Sequence, residues 1–133
     1  MLNQIIEKLY TNPRKIFLID GLGAILSAFL LGVVLVELEI YFGIPVSALY
    51  VLASLPIFFA IYDFYCYRKA NDNFGVFLKG IALMNSLYCC LSIGLVLYHH
   101  RALTYLGWIY ILIEIIIVAT LAFIELRAAN RLM

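Results

Sequence analysis

The stretch Leu106 to Leu126, LGWIYILIEIIIVATLAFIEL, is apolar along its whole length except at Tyr110, Glu114, Thr120 and Glu125. A helix of about 20 apolar residues is long enough to cross the roughly 30 Å hydrocarbon core of a bilayer. In such a helix Glu114 falls near the midplane, where a charged side chain costs about 2.5–3.5 kcal/mol on insertion scales. It must therefore face other protein, find a partner, or carry a proton. The rest of the chain determines what surrounds it.

Hydrophobic residues make up 66% of the 133 residues and charged ones 13%, with a mean hydropathy of +1.06, which lies outside the range of soluble domains. Three more apolar segments precede the last one. The first begins after Asn12 and Pro13; it is too long for the 7–15-residue core of a signal peptide and no A-x-A cleavage site follows. A turn through Glu37, Glu39, Gly43 and Pro45 leads to the second, which ends in Tyr62, Phe64, Tyr65 and Tyr67 followed by Arg68 and Lys69, an aromatic belt at a membrane interface. His99, His100 and Arg101 close the third. The expected architecture is all-α: a polytopic membrane protein forming an antiparallel four-transmembrane-helix bundle, with helices at about 15–38, 45–67, 74–98 and 104–126 in a single integral membrane domain, 1–133. Ahead of the first span, Ile5, Ile6, Leu9 and Tyr10 make a short amphipathic pattern suited to a membrane surface.

Lys8, Arg14, Lys15, Arg68, Lys69, Lys79, Arg127 and Arg131 fall on one side of this topology and only Arg101 on the other. The positive-inside rule then puts both termini in the cytoplasm and argues against dual insertion. A net charge of +1 supplies no basic field, so nucleic acid is not an expected partner. The lipid bilayer is.

Depth sorts the polar residues within the spans. Asp20, Asp63 and Lys79 lie one to two turns in from the cytoplasmic end and are expected to form an inner charge cluster that fixes helix register. Ser27, Asn85, Ser86 and Cys89 fall at the depth of Glu114, and Glu114 with Asn85, Ser86 and Ser27 is the candidate proton or ligand site, Asn85 being its first-choice partner. With no Lys or Arg at its depth, Glu114 is expected to rest protonated. Ala24, Ala28 and Gly32 repeat at four-residue intervals, a stripe that lets backbones approach within the bundle or along a homodimer seam.

Other chemistry is thin. Cys89 and Cys90 are adjacent and Cys66 is remote, so no redox pair is expected, and His99 and His100 lack the further histidine that a bis-histidine haem within the chain needs. No catalytic motif, phosphate loop or zinc signature occurs, so neither an enzyme nor a bound cofactor or metal is expected.

The phrases IDGLGAILSAFLLGVVLV, LPIFFAIYDFYCY and MNSLYCCLSIGLVLYHH resemble those of a small, uncharacterised family of four-helix bacterial inner-membrane proteins, over about Asn12 to Arg127. That resemblance implies the fold and a bacterial plasma membrane; it implies no activity. Small multidrug-type exporters are similar in size and embed a glutamate, but on the first helix, whereas Glu114 is on the fourth. Two functions are consistent with these residues. One is a structural or accessory subunit that docks a second copy or a larger membrane protein; the other is a small proton-coupled transporter or carrier using Glu114.

Overall fold

The computed structural model describes residues 13–69 and 74–132 together with Gln4 and Glu7. The amphipathic positions Ile5, Ile6, Leu9 and Tyr10 and the loop Ala70 to Asn73 lie outside them. No strand occurs among the described residues. Helix α1 covers Pro13–Phe29 and runs on through a π-helical segment, Leu30–Val34, to Leu35–Glu37; a single turn, Glu39–Phe42, follows. Helix α2 is Val46–Lys69, α3 is Phe74–Tyr98 and α4 is Tyr105–Leu132. Over Arg14–Glu37, Val46–Arg68, Gly75–Tyr98 and Tyr105–Arg131 they are long and apolar enough to cross a membrane. The chain is an all-α four-helix bundle compatible with a multi-pass membrane protein.

Local chemistry explains the bounds. Pro13 opens α1, where its missing N–H leaves no partner unsatisfied. The last helix continues beyond the expected Leu126 because Leu126, Arg127, Ala128 and Ala129 are good helix formers and no glycine or proline stops them. At the opposite end Gly43 adopts φ 73°, a left-handed conformation open to glycine, and a side chain there would strike the Ala102 carbonyl. The Thr104 amide donates to the Phe42 carbonyl at 3.2 Å and its hydroxyl to Tyr41, so the first and third connections are clasped together.

Helix α1 packs extensively on α2 and α3 on α4, while α1 and α4 touch little. The bundle is thus two antiparallel hairpins laid side by side. Two apolar clusters fill it, one near the clasped end around Leu31, Leu49, Leu52 and Ile111, the other near the termini around Phe17, Leu78, Ile81 and Ala129. Between them each helix contributes a polar residue.

Candidate functional site

Asp20 of α1, Asp63 of α2, Asn85 of α3 and Glu125 of α4 converge in that gap, with exposures of 4%, 0%, 4% and 0%. The Asn85 side-chain amide nitrogen donates to Asp20 Oδ1 at 3.1 Å and to Glu125 Oε1 at 2.8 Å. Gly21 permits the close approach of α1 to α2: a Cβ on it would lie 3.2 Å from the Asp63 Cβ. That approach brings the Asp63 carboxyl within hydrogen-bonding reach of Asp20, which is also within reach of Glu125. Asp20 Oδ2, both oxygens of Asp63 and Glu125 Oε2 are buried without a donor among the described residues.

A second level lies about 16 Å away along α4, three turns from Glu125. There Glu114, 8% exposed, accepts a 2.7 Å hydrogen bond from the Tyr88 hydroxyl, with the Tyr110 and Ser27 hydroxyls beside it. A cavity of about 50 Å³ joins the levels, lined by Asp20 and Asn85 from the first, Ser27 and Tyr88 from the second, and Ala24 and Pro56 between. Pro56 cannot donate to the carbonyl four residues back, so backbone polarity is freed beside this cavity.

The arrangement differs from the sequence expectation in three places. Lys79 is exposed on the outer face of α3 and makes no ion pair with Asp20 or Asp63; Glu125 takes the third place in the inner cluster. Six residues on a helix turn a side chain about 120° away from Asn85, so Lys79 shares the cluster's depth but not its direction. Asn85 is the partner of Asp20 and Glu125 rather than of Glu114, whose donor is Tyr88. Ser86 is exposed and its hydroxyl donates to Ala82 O at 2.8 Å, on the outer face of α3 and away from Glu114. Ser27 does stand beside Glu114. In the small-residue stripe, Ala24 lines the cavity, Ala28 lines an outer groove between α1 and α2, and Gly32 meets Ala53 of α2.

Glu125 and Tyr110 stand out in the sequence only as breaks in the last apolar run and Tyr88 not at all, yet a signal for their place in the site is present. Glu125 follows Glu114 by 11 residues, three helical turns, and Tyr88 follows Asn85 by three, so each pair shares a face. The remaining candidates stay apart. Cys66 and Cys89 are buried free thiols, Cys90 is exposed, and no group of three or more His, Cys, Asp or Glu side chains among the described residues suits a metal ion.

Electrostatics decides what such a site can do. The one ion pair among the described residues joins Arg131 to Glu7 at 3.3 Å and includes none of the four carboxyls. A charge near a helix centre costs about 2.5–3.5 kcal/mol on insertion scales, so an ionised Glu114 alone would take a sizeable part of a domain's stability of about 5–15 kcal/mol. A proton held between neighbouring carboxyls replaces their repulsion with a hydrogen bond. No family model, curated protein or solved structure matches this chain.

Proposed function

We propose that the protein is a small proton-coupled membrane carrier whose buried carboxyls take up and pass on protons. The observation that carries this reading is four buried carboxyls on two levels, none of them in an ion pair among the described residues, with a small, mostly apolar cavity between the levels that Asp20 lines from one side and Ser27 and Tyr88 from the other. At roughly 30 Å³ per water, the cavity of about 50 Å³ has room for one or two waters, with Asp20, Asn85, Ser27 and Tyr88 as polar partners. A proton on Glu114 passes by way of Tyr88, Ser27 and this water to the Asp20–Asp63–Glu125 group. The apolar clusters on either side keep the relay from being an open pore, and the sparse contact between α1 and α4 is the seam along which the hairpins separate to admit water or cargo. We place the protein in a bacterial plasma membrane, as the resemblance of its apolar phrases implies, with both termini cytoplasmic on the strength of the Lys and Arg distribution.

A second reading, an accessory subunit of a membrane complex, is favoured by the size of the same cavity: about 50 Å³ holds no organic cargo in this conformation. Proteoliposomes containing a trapped pH dye separate the two. Under an imposed potassium diffusion potential, wild-type protein should change the lumenal pH faster than empty vesicles, and Glu114→Gln and Asp63→Asn should each remove most of that flux. A wild-type flux equal to that of empty vesicles would overturn the carrier and leave the accessory role.

A further inference from the structure

Two outer grooves run along the lipid-facing side of the bundle, each of about 460 Å³, within the roughly 300–1,000 Å³ typical of ligand sites. The one between α1 and α2 is walled by Ile25, Ala28, Ile57, Ala60, Ile61 and Phe64, apolar throughout. The one between α3 and α4 differs. Its floor is made by Ala82, Ala119 and Ala122 and its sides by Leu83 and Phe123, but Lys79 stands in it at the end nearer the termini. Arg127, exposed and 5.6 Å from the centroid of the Phe123 ring, lies at the same end. Ser86 adds no free donor, since its hydroxyl is bound to Ala82 O.

A groove charged at one end and apolar along the rest fits an amphiphile in one orientation. We propose that the α3–α4 groove is a binding site for an anionic phospholipid, its phosphate held by Lys79 and Arg127 and an acyl chain lying over Ala82, Ala119 and Ala122. Lys79 is five residues inside α3, about 7–8 Å from the helix start, a depth from which a lysine stem reaches headgroup level. Basic pockets between transmembrane helices hold anionic headgroups by this combination of charge and shape. The α1–α2 groove, equal in volume and without a cation, accepts an acyl chain with no preference for the headgroup. The assignment is independent of proton handling, because neither groove contains any of the four carboxyls.

Native mass spectrometry of protein released from bilayers of equal parts phosphatidylcholine and phosphatidylglycerol tests it. Wild-type protein should retain one phosphatidylglycerol in preference to phosphatidylcholine, on the order of 10-fold for two cations at headgroup level. Lys79→Gln with Arg127→Gln should abolish the preference. Ala119→Phe, which fills the groove and leaves both charges, should remove the bound lipid itself, and Arg68→Gln, an exposed cation outside the groove, should change neither. Absence of a preference in the wild type, or a preference that survives the double variant or the filled groove, would overturn the site. So would a membrane protein that copurifies, excludes lipid, and is released by Ala119→Phe, because the groove would then belong to a partner helix.

Discussion

The two levels of buried carboxyls meet the same membrane with different means. At one level a single carboxyl, Glu114, accepts from a phenol on Oε1 and has further hydroxyls beside it, while its Oε2 has no donor among the described residues. At the inner level three carboxyls divide the two N–H bonds of a single amide, and one of them, Asp63, has no donor among the described residues. On the proposed reading, the lone carboxyl is held by the hydroxyls around it and the crowded group by sharing protons. The inner level should therefore be the more fragile to loss of its one donor and the more tolerant of losing an acid.

The largest effect is expected at Asn85. Asn85→Ala leaves Asp20 and Glu125 without their donor and should lower stability in detergent by about 1–3 kcal/mol for each acceptor left unsatisfied. A chemical denaturation series measures it, and a loss under about 1 kcal/mol would mean that the inner level is held by something other than this amide. Tyr88→Phe should cost about 1 kcal/mol if Glu114 is neutral and about 1.5–3 kcal/mol if it is a carboxylate, so the same series reads the charge of Glu114. Asp63→Asn replaces the shared proton with a permanent amide donor beside Asp20, and should be neutral or stabilising by up to about 1 kcal/mol; strong destabilisation would contradict proton sharing. Lys79→Ala should stay within about 0.5 kcal/mol, as for an ordinary exposed position. A large loss there would restore an inner ion pair.

Much of this was legible in the sequence, and the limit has a physical cause. Span lengths, turn residues and the depth of each polar side chain follow from hydropathy and a 1.5 Å rise, so Asp20, Asp63 and Glu114 were recognisable as expensive buried groups. Direction around the helix is the harder coordinate, because a transmembrane helix apolar on all sides gives little moment to orient it. Depth alone therefore groups Lys79 with the aspartates and Ser86 with Glu114. Glu125, followed by Arg127 and Arg131, falls at the end of the span expected at 104–126, whereas α4 runs on to Leu132 and carries Glu125 inward. Tyr88 looks like one more aromatic among many until Glu114 is placed opposite it.

Sharing of protons among buried carboxyls is observed most directly in the infrared. The carboxylic C=O band of the protein in lipid, recorded at neutral pH and compared among wild type, Glu114→Gln and Asp63→Asn, counts the acids that still carry a proton. The proposed proton relay requires a band in the wild type that loses one component with Glu114→Gln and a different one with Asp63→Asn. A wild-type spectrum with no such band at neutral pH would mean four ionised carboxylates in the bundle, and would contradict it.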